Sequence, residues 1–195
     1  EEQLARDLGG ALGGPARVTA LVRHEHQAER MRTAGANETI VTRRGETHAR
    51  RYDAVAAAVG GRRIPSLFGN QAFIGGYDLT YDCIGTGRSL TDAMKFTRSR
   101  GTVVEAGTSQ IAVVDTTPLW LTELTVLGSN GRQFELYEGR RRHTYEVVFD
   151  LAAKGRLSLK GLLTHVFTLD DYREAFETLS SRGRSGVVKA AFRPA

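Results

Sequence analysis

Along the chain the spacing of apolar positions switches repeatedly between two periods. Arg17 to Arg23, RVTALVR, is a short apolar run with two valines and predicts a strand. From Glu25 to Gly35, EHQAERMRTAG, Ala28 and Met31 lie three apart on one side, which predicts a helix with glycine as its stop. Asn37 to Val41, NETIV, predicts the next strand. Strand, helix and strand within about 25 residues is the rhythm of a parallel sheet with crossover helices.

The same rhythm organises most of the remainder. The first dozen residues predict a helix that stops at Gly9-Gly10 or at Gly13-Gly14-Pro15. Thr42 to Gly61 holds an Arg-rich turn and an alanine-rich helix, whereas GRRIPSLFGNQAFIGG shows no period and reads as a loop or insertion. Tyr77 to Gly85, YDLTYDCIG, predicts a strand ending in glycine, SLTDAMKFTRSRG a helix running to Gly101, and TVVEAG another buried strand. Thr116-Thr117-Pro118 leads to an apolar tip, Leu119-Trp120-Leu121, and then to the strand and turn LTVLGSNG. A helix is expected from Tyr137 or Arg141 to Ala153, a strand over Leu162 to Phe167, a helix over LDDYREAFETLSS and a last strand in SGVVKAAF. No repeat recurs, so one parallel sheet with a modified edge is the economical architecture.

Composition narrows the class without naming a function. The 195 residues are 41% hydrophobic and 25% charged, enough to bury a core. Twenty-seven Lys and Arg against twenty-two Asp and Glu give +5, which permits nucleic acid without indicating it. The run Arg140-Arg141-Arg142-His143 has no reader motif or aromatic platform beside it, and reads as a solvated helix start. A single cysteine, Cys83, excludes an intrachain disulfide framework and a thiolate-rich zinc site, and fits a reduced cytoplasmic setting. No apolar run approaches the ~18 residues of a membrane span, and the acidic first residues do not resemble a signal peptide.

Candidate chemistry concentrates where predicted strands end in small residues, because open parallel sheets bind nucleotides at their carboxyl edge. Arg23, followed by His24 and His26, stands where an acidic residue would hydrogen-bond an unmodified adenosine ribose; its guanidinium fork matches a 2′-phosphate and favours NADP(H), with NAD(H) possible. The alternative is a solvated strand-to-helix turn. GGALGG, Gly9 to Gly14, does not follow a strand and so lacks the context of a phosphate clamp. Cys83 reads as a packed strand residue, since no base accompanies it. Asp82 could meet cofactor or catalytic machinery or serve structural hydrogen bonding, and His165 could orient a reacting group, although a lone strand histidine is more often satisfied structurally. The apolar tip could form a subunit contact or fold back into the core.

Taken in order, RVTALVR…AERMRTAGANETI, YDLTYDCIG, GTVVEAG, LTVLGSNG and GLLTHVFTLDDYREAFETLSSRGRSGVVKAAFRP resemble the cofactor-binding and C-terminal part of medium-chain, zinc-type alcohol dehydrogenases. The resemblance implies a Rossmann-like, doubly wound α/β sheet that lacks its first strand and the N-terminal catalytic domain. It implies a partial dinucleotide-binding domain over 1–155 and a C-terminal segment, 156–195, returning toward the catalytic domain. Arg23 and His24 would lie at the ribose, Cys83, Ile84 and Gly85 beside the adenosine, Ala106, Gly107 and Thr108 near the nicotinamide, Gly128, Ser129 and Asn130 in the next cofactor-lining turn, and Lys189 at the pyrophosphate. The implied reaction passes hydride between NADP(H) and an alcohol or carbonyl substrate, with zinc held only by the absent catalytic domain and no metal or catalytic residue assigned here. Homo-oligomers would pair through Leu119–Leu121. Two other classes compete: an inert dinucleotide-binding or regulatory module, and a structural oligomerisation protein with a vestigial pocket.

Overall fold

The computed structural model describes residues 17–43, 45–65, 71–107 and 111–194. The expected N-terminal helix, the Gly9–Gly14 stretch and Thr108 lie outside them. The described residues divide into two compact units, one formed by those within Thr19–Arg23 and Asn37–Gln133, the other by residues 17–18, His24–Ala36 and 134–194.

In the first unit, β1 (Thr19–Val22) pairs in parallel with β2 (Glu38–Val41), Val22 facing Val41. The helix α1 (Glu25–Ala34), which joins these strands in sequence, belongs to the second unit. α2 (His48–Val59) is capped by Thr47, and the hairpin β3 (Arg62–Pro65) and β4 (Gln71–Ile74) follows it. Next come β5 (Tyr77–Asp82), α3 (Gly87–Phe96), β6 (Thr97–Glu105), the short α4 (Thr117–Leu121) and β7 (Thr125–Gly128). β5, β6 and β7 form a three-stranded parallel sheet whose last residues are in register, Asp82 with Glu105 and Glu105 with Gly128.

Two clusters hold this unit together. Val103 of β6 packs with Ala93 and Met94 of α3 and with Leu124. Tyr52 and Val55 of α2 pack with Phe96 of α3, joined by Phe73 of β4 and Tyr77 of β5. The Tyr52 and Phe96 rings meet edge to face at 4.7 Å, a favoured quadrupolar arrangement.

Three expectations for this unit are corrected. Residues 61–76 contain a hairpin rather than only loop: Arg63 reaches Asp53 and Gln71, and Phe73 enters the aromatic cluster, so packing with distant residues orders a segment without local period. The helix expected to run to Gly101 stops at Phe96, where the Thr97 hydroxyl donates to the Ala93 carbonyl at 2.7 Å and the chain turns directly into β6. The parallel strands form separate ladders instead of one sheet, because no described strand pairs with the second edge of β1 or of β5.

The second unit holds α1, the antiparallel hairpin β8 (Phe134–Tyr137) and β9 (Arg140–His143), α5 (Thr144–Ala153), β10 (Leu163–Thr168), α6 (Tyr172–Ser180), the short α7 (Arg182–Ser185) and β11 (Lys189–Arg193), parallel to β10. The Arg-rich run is therefore a strand and not a helix start. Glu138 and Gly139 both have positive φ, 51° and 73°, the two-residue turn that a hairpin requires. His143 then caps α5, its Nδ1 accepting from Tyr145 N at 3.2 Å. Arg141 lies over the Phe134 ring at 4.2 Å and Arg142 pairs with Asp150.

Tyr52 gives the first unit a pH-dependent element. Its hydroxyl donates to Asp92 Oδ1 at 2.8 Å, and burial, followed by the Asp92 charge and that hydrogen bond, holds the phenol well above its ordinary value of 10.0. The folded state thus keeps a proton that the unfolded chain loses above pH 10, so this contribution is intact below pH 10 and declines as pH rises. Urea denaturation between pH 8 and about 11.5 is expected to show stability falling above pH 10, with a shallower fall in Tyr52→Phe.

Candidate active site

The ends of β5, β6 and β7 form one backbone assembly. Asp82, only 3% exposed, is its centre. Its Oδ1 accepts from Ile84 N at 2.9 Å and Gly85 N at 3.2 Å, and Ser89 Oγ of α3 lies 3.0 Å from Oδ2. Its main-chain carbonyl accepts from Ala106 N at 2.9 Å and Gly107 N at 2.8 Å. One strand later, Glu105 O accepts from Ser129 N at 2.9 Å. Three successive strand ends are thereby locked to one another through main-chain groups.

Glycine makes the closest of these approaches possible. A Cβ at Gly107 would stand 2.4 Å from Gly85 N and 2.5 Å from the Ile84 carbonyl carbon, distances that only a missing side chain allows. Gly85 itself has φ +81°. At Gly128, by contrast, an added Cβ would meet nothing within 4 Å, so the end of β7 faces open space. Glu105 adds a polar feature: its Oε1 is buried without a hydrogen-bond partner.

The structure thus brings together Cys83, Ile84 and Gly85, Ala106 and Gly107, and Gly128 and Ser129. Asn130 follows directly, its Oδ1 accepting from Arg132 N at 3.0 Å. Cys83 is exposed, not packed in a strand, because β5 ends at Asp82 and the chain turns over that carboxylate. Ile84 is exposed as well. Asp82 takes the structural role among its two alternatives.

The other predicted residues are placed separately. Arg23 is exposed directly after β1, where Thr42 N and Thr42 Oγ1 both donate to Val22 O and tie the end of β2 to that of β1. His24 is the N-cap of α1: its main-chain N–H donates to Gln27 Oε1 at 3.1 Å and its ring stacks on His26 at 5.3 Å. Lys189, exposed at the start of β11, shares the second unit with His24. His165 lies in β10 with its Nδ1 3.0 Å from Thr164 Oγ1 and its ring stacked on Phe167. Trp120, 71% exposed, and Leu121 show that the apolar tip does not fold into the core. Sequence reasoning passed over Glu105 and the Thr86–Ser89 capping pair of α3; the T-x-x-S spacing was the available signal for the pair. Among the described residues no group of three or more His, Cys, Asp or Glu side chains is arranged to hold a metal ion, and no helix is long and apolar enough to cross a membrane.

L-idonate 5-dehydrogenase of Vitis vinifera is 31% identical over 120 residues, 60% of this chain and 30% of that protein. The crystal structure of 2R,3R-butanediol dehydrogenase from Bacillus subtilis matches with a TM-score of 0.65 at 21% identity, covering 95% of this chain and 46% of the other. A protein of Sinorhizobium meliloti described as a zinc-binding dehydrogenase and solved bound to NADP matches with a TM-score of 0.62 at 21% identity, over 98% of this chain and 49% of the other. The chain spans less than half the length of these relatives, and the solved structures show a shared fold, an α/β arrangement of the Rossmann-like dehydrogenase kind. The family model described as zinc-binding dehydrogenase matches residues 3–154, and the chain belongs to that family.

Proposed function

We propose that this chain is the dinucleotide-binding part of a dehydrogenase that passes hydride between NADP(H) and an alcohol or carbonyl carbon, within a longer protein. The observation that carries the reading is the assembly of three parallel strand ends around Asp82, with glycine backbones in contact at Gly85 and Gly107 and open space at Gly128. Residues 1–155 would form the cofactor-binding region and 156–195 a segment packing toward the rest of that protein.

The open end of β7 suits the cofactor. At Gly128 the main chain carries no side chain and faces open space, which lets a pyrophosphate or ribose approach closely, and the buried Glu105 Oε1 lacks a donor of the sort that a hydroxyl or carboxamide supplies. When bound, the nicotinamide supplies the hydride acceptor or donor. Ile84 and Gly85 would flank the adenosine, Ala106 and Gly107 the nicotinamide, with Gly128, Ser129 and Asn130 lining the following turn. Arg23 would offer its planar fork to the 2′-phosphate. His24, Cys83, Thr108 and Lys189 are included on the family resemblance alone. The described residues supply no zinc ligand set.

The exposed Leu119–Leu121 tip, preceding strand β7 whose four residues are all exposed, supports pairing of two copies through this region. The single cysteine supports a reduced cytoplasmic setting.

Calorimetric titration tests the cofactor reading. NADPH is expected to bind more tightly than NADH, and Arg23→Ala to weaken NADPH about tenfold or more while leaving NADH nearly unchanged. Folded protein that binds neither, or an Arg23→Ala effect equal for both, contradicts it. Gly107→Ala forces a methyl against the Ile84–Gly85 backbone. Both dinucleotides should then lose affinity together, with a lowered melting temperature; unchanged values for both would show that the turns do not meet as described.

A further inference from the structure

The hairpin of β8 and β9 carries a recess made of residues that the strand-end assembly does not use. In its ladder Tyr137 stands opposite Arg140 and Glu135 opposite Arg142. Side chains two residues apart on a strand share a face, so Tyr137, Arg140 and Arg142 lie together while Phe134 and Arg141 occupy the other face. Both faces show it: Arg141 lies over the Phe134 ring, and Tyr137, Arg140 and Arg142, with Glu138 of the turn, line a recess of about 340 Å³. Residues of α5 and those after it hold the recess in place. Arg156 Nη1 donates to the Tyr137 hydroxyl at 3.0 Å, and Arg142 Nη2 donates to Glu146 O at 3.3 Å. Lys154 Nζ pairs with Asp150 Oδ2 at 2.7 Å and lies 3.6 Å from Glu138 Oε2.

The acids around the recess are answered, and one of its cations is not. Asp150 is shared by Lys154 and by Arg142, whose Nη1 stands 3.4 Å away. Glu138 faces Lys154, and Glu135 accepts from the Thr144 hydroxyl at 3.4 Å. The Arg140 guanidinium makes no hydrogen bond or ion pair among the described residues. Arg142 reaches its two acceptors only at 3.3 and 3.4 Å. Two guanidinium groups therefore bring donor capacity to one recess, one of them wholly uncommitted.

We propose that the recess of the β8–β9 hairpin binds a phosphate-class anion, with Arg140 and Arg142 as its donors. Side chains two residues apart on a strand leave the backbone roughly 7 Å from each other. A carboxylate fills the fork of one guanidinium, whereas a phosphate group offers three terminal oxygens and can accept from two. The volume exceeds that of one phosphate group and falls within the range of small-molecule sites, about 300–1,000 Å³. Glu138, at the turn, adds an acceptor for hydroxyls on the rest of such a ligand. The inference does not rest on the dinucleotide reading. It admits two sources for the same chemistry, free phosphate and a small phosphomonoester.

The test is calorimetric titration of the full chain, at fixed ionic strength, with glycerol 3-phosphate and separately with inorganic phosphate. Saturable binding of at least one probe is expected. Arg140→Ala, at an exposed position without a side-chain partner, is expected to weaken it about tenfold or more with the melting temperature unchanged. Arg141→Ala removes the same charge from the opposite face of β9, and is expected to change affinity less than about twofold, because salt screens a charge that the ligand does not touch. No saturable binding of either probe, an affinity unaltered in Arg140→Ala, or equal losses in Arg140→Ala and Arg141→Ala overturns the proposal. The two probes separate the sources: tighter binding of glycerol 3-phosphate supports a phosphomonoester, and equal or weaker binding supports free phosphate.

Discussion

The carboxylate of Asp82 is buried at the end of β5 and accepts from the two amides that follow it in the turn, while its main-chain carbonyl accepts from two amides at the end of β6. Everything proposed for the strand ends depends on that arrangement. A buried carboxylate is tolerable only when donors surround it, so the turn Cys83–Gly85 has little freedom to move away. The β6 end is in turn held against it by Asp82 O, at a separation that Gly107 alone permits. The β7 end joins through Ser129 N and Glu105 O. Rigid backbone at a sheet's carboxyl edge presents a fixed shape, and preorganisation of that kind lowers the cost of binding a ligand there.

Much of this was legible in the order of residues, because the signals are local. The apolar runs of Thr19–Val22 and Tyr77–Asp82 and the stop at Gly35 need no distant partner to be recognised. What stayed hidden depends on contacts between distant residues. The hairpin of Arg62–Pro65 and Gln71–Ile74 is ordered by Phe73 against Tyr52 and Phe96, and no window of local sequence contains those three rings. The end of α3 at Phe96 rests on a hydroxyl closing back on Ala93, in a stretch whose polar residues suit a helix surface equally well. The Glu138-Gly139 turn was a readable signal, weaker than the usual Asn-Gly, that the Arg-rich run lies in a hairpin.

The site was legible unevenly for the same reason. Small residues where strands end single out Gly85, Gly107 and Gly128 in the sequence, whereas the contact of Gly107 with the Ile84–Gly85 backbone appears only in three dimensions. Cys83 was misplaced by one residue of strand, since the chain leaves β5 at Asp82 and carries the thiol to the surface. The Arg51–Asp92 ion pair and the Tyr52–Asp92 hydrogen bond that join α2 to α3 are not visible there, because a spacing of 40 residues between Tyr52 and Asp92 has no periodic signature. Family membership and the parallel strands point the same way, toward a Rossmann-like dehydrogenase fold.

The most direct test of the central claim is hydrogen–deuterium exchange of the full chain with and without saturating NADPH. Slower exchange is predicted together at Ile84–Gly85, at Ala106–Gly107 and at Ser129–Asn130, because one ligand spanning the three strand ends would shield all of them. Binding that leaves these amides unchanged, with protection confined to other segments, would contradict the account.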